Sequence, residues 1–407
     1  MPKQIITNYV NLLEYPEIQI LKSQDILTIG DLHGNSIKLL FFLIETGILS
    51  LKNGQYDYQK FVEIYYLETS LIQKCHLETC KSILENAIFN PVSATIKIRL
   101  LGDEVAERGQ NDYFTLLILD QLIKNNLRLE IIFSNHGAEF IKFYEEGCSP
   151  DFMPLFLSQP GNLWFTKSLG CAQNKTGLLY LIQQQLVSTE QILNIINRCY
   201  KPSIKLLSYL IEEIKENYSA ITIYSHAPIG IETIKALAKK FNIYYDENNI
   251  LLESFINIIE EINKEFFKLI CDNSLSKILS EENQNMHLPN CPLELLPIIR
   301  TIWNRIEYPI SSSQLFRPHF ISFIDHKCNI NYTHGHDGQG QVKVSEQEYI
   351  TNLDNCLGME YYDDYNDTGI YVIEKAQQTT NKQSIILNTK INTFHLVGIH
   401  NKLRLTM

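Results

Sequence analysis

The sequence predicts an α/β fold in which helices pack against a mostly parallel β-sheet. Short apolar runs, typical of buried strands, alternate with helical patterns in the first third of the 407-residue chain. Polar clusters follow most of these runs, and ligands bind beyond the carboxyl ends of parallel strands. The apolar content of 45% and the charged content of 20% are those of a globular protein with a large core.

Apolar periodicity predicts the elements of the first third of the chain. Side chains alternate between the two faces of a strand, so Ile96, Ile98 and Leu100 share one face of their run. The predicted elements are, in order, a strand at 26–29, a helix at 36–46, a strand at 95–101, a helix at 112–122 and a strand at 127–133.

The rest of the chain contains more strand patterns and ends on an antiparallel set. Two polar stretches, 281–285 and 363–368, are interpreted as loops. The predicted elements are a strand at 220–224, helices at 231–241 and 251–270, strands at 321–330 and 348–352, and closing strands at 369–374, 384–387 and 393–397.

Two stretches with largely helical patterns interrupt this alternation. They lie at about residues 51–90 and 150–218, and no low-complexity linker separates them from the rest. We therefore predict a single catalytic domain over residues 1–407 that carries two helical insertions.

Charge and cysteine content exclude several classes of protein. The net charge of −11 argues against a general nucleic-acid or membrane-surface binder, because phosphate groups attract a basic face. The nine cysteines form no CxxC pair, which favours free thiols in a reducing compartment. No apolar run approaches the ~18 residues of a membrane span, and the first residues lack the pattern of a cleaved signal. A cytoplasmic protein is expected.

The first polar cluster, Gly30-Asp31-Leu32-His33-Gly34-Asn35, comes directly after the strand at 26–29. Asp31 and His33 point the same way from an extended backbone, because side chains alternate with a period of two. The flanking glycines allow a sharp turn and a close approach of the backbone to a ligand.

Four further clusters contain the same kinds of residue. Carboxylate, imidazole and amide groups suit a divalent cation, and the planar fork of arginine matches two phosphate oxygens. Together the clusters predict a two-metal centre that cleaves phosphate esters. The four are residues 102–109, with Asp103, Glu107 and Arg108; 134–137, with Asn135 and His136; 225–228, with His226; and 334–338, with His334 and His336.

In the order Gly-Asp-x-His-Gly, Gly-Asp…Arg-Gly, Asn-His, His-Ala-Pro and Gly-His, these motifs resemble those of the calcineurin-like metallophosphoesterases. They are most similar to the phosphoprotein phosphatase branch, which includes bacterial Ser/Thr phosphatases and diadenosine tetraphosphate hydrolases. The resemblance runs from Gly30 to Gly338 and implies a β-sandwich core flanked by helices. It also implies two divalent metal ions, with manganese as the first candidate and iron or zinc as alternatives.

The resemblance implies a ligand for each position of this dinuclear centre. His334 stays open as an alternative to His336 for the last ligand. The implied ligands are Asp31 and His33 for the first metal, Asp103 as a bridge between both, and Asn135, His226 and His336 for the second.

The same resemblance implies roles in catalysis. Phosphate monoesters would be hydrolysed by in-line attack of a metal-bridging hydroxide, with His136 as the general acid. Glu107 would pair with His136, and Arg108 would bind phosphate oxygens. Arg305 is the candidate for a second phosphate-binding arginine, because it follows Trp303 as the family pattern requires.

The chain departs from the family pattern at two positions. The usual Asp-Arg-Gly is here Glu107-Arg108-Gly109, with one extra residue after Asp103, which leaves open whether Glu107 reaches His136. The acid that usually follows the histidine is replaced by Gly137, and Glu139 is a possible substitute. Residues 353–355, Leu-Asp-Asn, resemble the Leu-Asp strand that follows the last histidine in the family.

The expected function is therefore a metal-dependent phosphatase that acts on phosphorylated proteins, on Ser/Thr in preference to Tyr. Two alternatives are a dinucleoside polyphosphate hydrolase and a catalytically weakened, metal-bound interaction module. The insertions suggest a specialised partner surface, as in a bacterial effector that enters a host cytosol without a cleaved signal. The sequence leaves the oligomeric state open.

Overall fold

The prediction of an α/β fold is confirmed by a computed structural model in which helices pack around two mixed β-sheets. The predicted strand at 26–29 is present with the same bounds, and the predicted helix at 112–122 extends to Lys124. The described residues are 4–9, 11–18, 26–91, 95–149, 155, 168–170, 177–215, 218–245, 251–285, 291–305, 320–322, 327–336, 350–354, 368–374 and 384–390.

The strands agree in most places with the apolar runs of the sequence. They are β1 (Gln4–Tyr9), β2 (Ile26–Ile29), β3 (Leu49–Ser50), β4 (Ile88–Phe89), β5 (Lys97–Leu100), β6 (Arg128–Ile132), β7 (Ile204–Lys205), β8 (Ser208–Lys215), β9 (Tyr218–Ser225), β10 (Phe320–Ser322), β11 (Lys327–His334), β12 (Ile350–Asn352), β13 (Thr368–Glu374) and β14 (Ser384–Lys390).

The helices are α1 (Ser36–Glu45), α2 (Gln55–Tyr65), α3 (Lys74–Glu85), α4 (Asp112–Lys124), α5 (Asn135–Glu145), α6 (Leu178–Gln183), α7 (Thr189–Ile195), α8 (Lys201–Ser203), α9 (Ile231–Lys240), α10 (Leu252–Cys271), α11 (Leu275–Asn285) and α12 (Pro297–Trp303). A π-helical turn, Ile196–Tyr200, joins α7 to α8.

The first sheet is mostly parallel, as predicted. Its order within the described residues is β1-β14-β13-β2-β5-β6-β7, with parallel pairing along β2, β5, β6 and β7. The expected antiparallel closing strands appear as β13 and β14, and β13 also pairs antiparallel with β2. The predicted strand at 393–397 lies outside the described residues, as does most of the predicted loop at 363–368.

The second sheet has the order β10-β11-β9-β8, and β12 adds to β11. Its central strands, β9 and β11, run parallel, with Ser225 opposite His334. Arg99 of β5 lies between the two sheets. It donates a hydrogen bond to Ser208 of β8, and its guanidinium lies 3.6 Å from the ring centre of Tyr224 on β9. The two sheets therefore face each other across this buried arginine.

Helices α1 and α4 are buried because their apolar positions are spread around the whole helix. Every residue of α1 is buried, and Asn35 caps its start by accepting a hydrogen bond from the Lys38 amide. The first predicted insertion contains α2 and α3 and is closed by the short antiparallel pair of β3 and β4.

Three predictions about elements were wrong. The second insertion was expected to be helical to residue 218, but β7 and β8 occupy 204–215, because pairing of Ile211 with Ile221 overrides a helix-like apolar spacing. The expected loop at 281–285 is the end of α11, where Glu282 accepts hydrogen bonds from the first amides of α12. The single strand expected at 321–330 is two antiparallel strands, β10 and β11.

None of the helices in the described part of the chain combines the length and the apolarity that crossing a lipid bilayer requires.

Candidate metal centre

Five of the predicted metal ligands lie just beyond the ends of five strands. Asp31, Asp103 and Asn135 follow β2, β5 and β6 of the first sheet, whereas His226 and His336 follow β9 and β11 of the second. Parallel strands bring their carboxyl ends to the same edge of a sheet, so the first three side chains converge. The facing sheet supplies the two histidines. All five side chains are buried.

The backbone around Asp31 leaves no room for extra atoms. Asp31 Oδ2 accepts a hydrogen bond of 2.9 Å from the His336 amide, and the Gly335 amide donates to the His226 carbonyl over 2.7 Å. A Cβ atom at Gly335 would overlap with Asp31 Oδ1. The glycine before His336 is therefore required by the close approach of Asp31.

His226 presents a lone pair to two oxygen atoms. Its Nδ1 atom lies 2.8 Å from the Leu101 carbonyl, which can only accept, so Nδ1 carries the hydrogen. Burial outweighs the nearby carboxylates and lowers the pKa of His226, so the ring is neutral and Nε2 has a lone pair. That atom lies 2.8 Å from Asn135 Oδ1 and 3.5 Å from Asp103 Oδ1. Three electron-rich atoms thus face one another.

The donor set around His226 fits a divalent cation. Ligand atoms of Asp103, His226 and His336 lie within 4.8 Å of one another, and so do those of Asp103, Glu107 and His136. Among the described residues, Asp31 Oδ1, Asp103 Oδ1 and His336 Nε2 are buried without a hydrogen-bond partner. Burial of unsatisfied oxygen and nitrogen atoms is costly, and a cation would compensate for it.

His33 lies between two carboxylates. Its Nδ1 atom is 3.0 Å from Glu107 Oε2, and its Nε2 atom is 3.4 Å from Asp354 Oδ1. Burial alone would lower the pKa of His33, but the two acids outweigh burial and raise that pKa to about 9. His33 is thus held by Glu107 through Nδ1, the kind of contact that orients a metal-binding histidine, while its Nε2 atom faces Asp354.

Glu107 contacts His33 more closely than His136. The distance from Glu107 Oε1 to His136 Nε2 is 3.9 Å, beyond hydrogen-bond range. The expected Glu107–His136 pair is therefore an electrostatic contact here, and the carboxylate of Glu107 pairs with His33 instead. Burial raises the pKa of Glu107, but the charges of His33, Arg108 and His136 outweigh it and lower that pKa.

His136 is oriented by the backbone of the neighbouring loop. Its Nδ1 atom lies 2.8 Å from the Ala106 carbonyl, so that nitrogen carries a hydrogen and Nε2 is the one that can gain or lose a proton. Its neighbour Asn135 begins α5, and Ser134 caps that helix by accepting from the Gly137 amide. Glu139, the possible substitute for the missing acid, accepts from the Leu155 amide instead.

Both predicted arginines lie at the edge of the cluster. Arg108 Nε is 3.5 Å from Glu107 Oε1, and its side chain is 19% exposed. Arg305 is also partly exposed, and its charge helps to lower the pKa of His336, although burial is the larger cause. Two partly exposed positive charges thus lie close to the buried cluster.

Four residues of this cluster have a strained backbone conformation. His33, Asp103, Ala106 and His336 have φ angles of 56°, 51°, 57° and 56°, in the left-handed region that non-glycine residues avoid. Such strain persists only where surrounding contacts enforce it, and it occurs preferentially at functional sites.

The structure leaves two histidines near the last ligand position. The His336 ring lies 4.9 Å from the His226 ring and 5.4 Å from the Trp303 ring, measured between centres. His334 Nδ1 faces the Gly335 carbonyl, and its Nε2 atom is buried without a partner among the described residues. Burial lowers the pKa of His334 to about 4, so it too is neutral.

Sequence reasoning did not assign a site role to Asp354, Glu104 or Ser134. Asp354 belongs to a motif that the sequence displays, and its contact with His33 outweighs burial and lowers its pKa. Ser134 accepts hydrogen bonds from the Asp103 and Gly137 amides, so one hydroxyl joins two of the polar clusters. Glu104 is a buried acid next to Asp103, and burial raises its pKa to about 8.

The chain matches one known protein family and resembles several solved structures. The family described as "WipA-like, phosphatase domain" matches residues 97–359, more than half of the chain. The crystal structure of the phosphatase domain from the Legionella effector WipB is 24% identical, with a TM-score of 0.58 over 78% of this chain and 98% of that chain. This likeness concerns the fold alone.

Two structures of cold-active protein tyrosine phosphatases are much less similar. A point mutant of such an enzyme is 10% identical, with a TM-score of 0.31 over 92% of this chain and 84% of that chain. The enzyme of a psychrophilic Shewanella species is 9% identical, with a TM-score of 0.32 over 93% and 85%. Such low scores carry no argument about fold or activity. No protein of curated function matches the chain.

Proposed function

Because the chain belongs to the family of WipA-like phosphatase domains, we propose that it is a metal-dependent phosphatase of the calcineurin-like metallophosphoesterase type. The observation that carries the proposal is the convergence of His226 Nε2, Asn135 Oδ1 and Asp103 Oδ1. Three lone pairs at one point favour a cation. The two facing sheets, with ligands contributed by both, support a sandwich of the metallophosphoesterase type.

Two divalent cations, manganese before iron or zinc, would be held by side chains that are already close together. The donor set of oxygen and imidazole nitrogen suits these metals. Cations bound there would supply positive charge for the phosphoryl oxygens and make water more acidic. The side chains are Asp31, His33, Asp103, Asn135, His226 and His336.

The other polar residues of the centre would handle the substrate. His136 would hold a proton at Nε2 for the leaving oxygen, since its Nδ1 atom is committed to the Ala106 carbonyl. Glu107 Oε1 lies 3.9 Å from this Nε2 atom, on the side of the ring that would give up the proton. Arg108 and Arg305 would bind phosphate oxygens from the solvent side of the acids.

A phosphorylated protein is the proposed substrate, with Ser/Thr in preference to Tyr. An alkoxide leaves only when it is protonated, whereas a phenolate leaves more easily because the pKa of tyrosine is about 10. A histidine placed as an acid therefore benefits phosphoserine and phosphothreonine most.

The test is phosphate release from phosphoserine, phosphothreonine and phosphotyrosine peptides in the presence of Mn²⁺. We expect His136→Ala to lower kcat by about 100- to 10,000-fold, the usual contribution of a general acid. A chelator should abolish release. His76→Ala, a partly exposed histidine on α3, is the matched control and should leave release unchanged.

Several outcomes would contradict the proposal. Bound metal without phosphate release from any peptide would support an interaction module instead. Conversion of diadenosine tetraphosphate to ADP, followed by chromatography, would support the dinucleotide hydrolase. Equal release with and without metal would exclude metal dependence.

The relative described as a Legionella effector leads to a proposal about where this chain acts. We infer that this chain is delivered into a host cytosol and dephosphorylates proteins there. Affinity capture from host-cell lysate with the His136→Ala variant, followed by phosphopeptide analysis, should enrich phosphorylated partners. Equal enrichment of phosphorylated and unphosphorylated proteins would count against this role.

A further inference from the structure

We propose that the second insertion positions the catalytic loop, through Tyr200 and Ser168. The loop is residues 103–109, which contains Asp103, Glu107 and Arg108. The inference rests on the proposed function, and it gives the insertion a role inside the centre, in addition to any partner surface that it provides.

The conformation of this loop depends on contacts from outside it. It contains no regular secondary structure, and Asp103 and Ala106 have positive φ angles of 51° and 57°. Each such residue costs of order 1 kcal/mol, so its conformation persists only where surrounding contacts offset that cost. Contacts from the core supply part of that support. The Ser134 hydroxyl accepts from the Asp103 amide, and the Asp112 carboxylate accepts from the Ala106 amide.

Tyr200 supports the loop from the π-helical turn of the insertion. Its hydroxyl donates a hydrogen bond of 2.5 Å to Glu104 Oε1, and both side chains are buried. π-helical turns occur preferentially at functional sites, where they redirect a side chain. Glu104 is adjacent to Asp103, so this bond fixes the residue next to the proposed bridging ligand.

Tyr200 also contacts the helix that carries His136. Its ring packs against Phe140 of α5, with 5.1 Å between ring centres and planes at 73°. A Cβ atom at Gly137 would lie 3.4 Å from the Tyr200 hydroxyl, an ordinary van der Waals distance, so the hydroxyl packs beside the first turn of α5. One tyrosine therefore fixes the start of α5 relative to the loop, and with it the separation of His136 and Asp103.

Ser168 supports the other end of the loop. Its hydroxyl accepts from the Glu107 amide over 2.9 Å, and its own amide donates to the Glu107 carbonyl over 3.0 Å. Ser168 thus binds both the amide and the carbonyl of Glu107, one through its hydroxyl and the other through its own amide. Ser168 is buried, and its carbonyl accepts from the Asp112 amide at the start of α4.

The first experiment compares Tyr200→Phe with Tyr144→Phe, a tyrosine of α5 whose hydroxyl contacts Asn197 and Lys201, away from the loop. Tyr200→Phe should lower kcat by about 10- to 100-fold, the usual effect of a residue that orients metal ligands. KM should change less than about twofold, because Ser168 still holds the end of the loop that carries Arg108, and Arg305 lies outside the loop. Tyr144→Phe should behave as the wild type.

Hydrogen exchange gives a readout that does not depend on activity. Amides of residues 103–109 should exchange faster in Tyr200→Phe than in Tyr144→Phe, because a support of the loop is lost. Ser168→Ala should increase exchange at Glu107, whereas Ser203→Ala, a buried serine in the same insertion that donates to the Cys199 carbonyl, should not.

A second pair of variants tests the contact if Tyr200→Phe does not fold. Glu104→Gln retains an oxygen that accepts from Tyr200, whereas Glu104→Ala does not. Exchange of the loop should therefore rise more in Glu104→Ala than in Glu104→Gln. Equal exchange in these two variants would overturn the inference.

The outcomes separate this inference from the proposed function. If the wild type releases no phosphate, the proposed function is contradicted. Hydrogen exchange at residues 103–109 would still test whether Tyr200 supports the loop. An active wild type with normal exchange and kcat in folded Tyr200→Phe would overturn the inference alone. Loss of kcat with unchanged exchange at 103–109 would overturn it too.

Discussion

At the scale of single residues, the centre contains several buried acids that lie close together. Burial, followed by repulsion from Asp354, Asp103 and Glu107, raises the pKa of Asp31 well above its ordinary value. His33 and Arg108 neutralise part of this charge through Glu107. Within the described residues, Asp31 Oδ1 and Asp103 Oδ1 have no hydrogen-bond donor, and a divalent cation would relieve their repulsion.

The close approach of Gly335 to Asp31 leads to a prediction. Gly335→Ala places a methyl group where Asp31 Oδ1 lies, and the His336 amide prevents the carboxylate from moving aside. We expect Mn²⁺ affinity, measured by titration calorimetry, to fall by about 10- to 100-fold.

Gly147→Ala is the control for this substitution. A Cβ atom there has no neighbour within 4 Å, although a φ of 71° makes the change cost about 1–2 kcal/mol of stability. It should leave Mn²⁺ affinity unchanged. Wild-type affinity in Gly335→Ala would show that Asp31 does not bind the metal.

At the scale of elements, a buried ion cluster ties β5, β6 and β7 together. Glu130 of β6 contacts Lys97, Arg99 and Lys205 at 3.1, 3.3 and 3.1 Å, and Ser208 donates to it over 2.8 Å. Burial raises the pKa of Glu130, but the three positive charges outweigh it and lower that pKa to about 2.

The stability of the protein should therefore depend on pH through Glu130. A carboxylate whose pKa is lowered by folding stabilises the protein above its unfolded pKa of about 4.3, and this contribution is lost as pH falls towards 2. Glu130→Gln should lower the free energy of unfolding by about 3 kcal/mol at pH 7, measured by urea denaturation.

The difference between wild type and Glu130→Gln should shrink as the pH falls from 5 to 2. A difference in unfolding free energy that does not change with pH would contradict the lowered pKa of Glu130. Glu146→Gln, which breaks a more exposed pair with Lys142, should change stability by less than about 1 kcal/mol.

At the scale of the whole molecule, the centre joins the two facing sheets. Asp103 and Asn135 follow strands of one sheet, and His226 and His336 follow strands of the other. A ligand that binds groups from both sheets binds only the folded chain, so it should stabilise the fold as a unit.

Metal should therefore raise the melting temperature. At 100 times its Kd, Mn²⁺ should add about 2.7 kcal/mol to the free energy of unfolding, visible in thermal denaturation as a rise of a few degrees. Asp103→Asn, which removes the charge at the centre of the cluster, should reduce this rise. An equal rise in Asp103→Asn would place the metal elsewhere.

Local patterns were sufficient for much of the fold and for placing the polar residues at the ends of strands. The strand at 26–29 and the polar residues at five strand ends depend on neighbours a few positions away, which a sequence displays. The convergence of Asp31, Asp103 and Asn135 followed from one rule, that parallel strands end at the same edge of a sheet. His226 and His336 join them because the second sheet faces the first. The roles of these residues stay predictions.

Only the tertiary structure decided which partners these residues meet. Glu107 turns to His33 instead of His136, and Tyr200 reaches Glu104 from 96 positions away, because loop shape and helix packing set those distances. Residues 204–215 form strands because β9 and β6 pair with them, against their own helical spacing. Neighbouring residues determine local strands and the polar residues at their ends. Contacts between distant segments depend on how the whole chain packs.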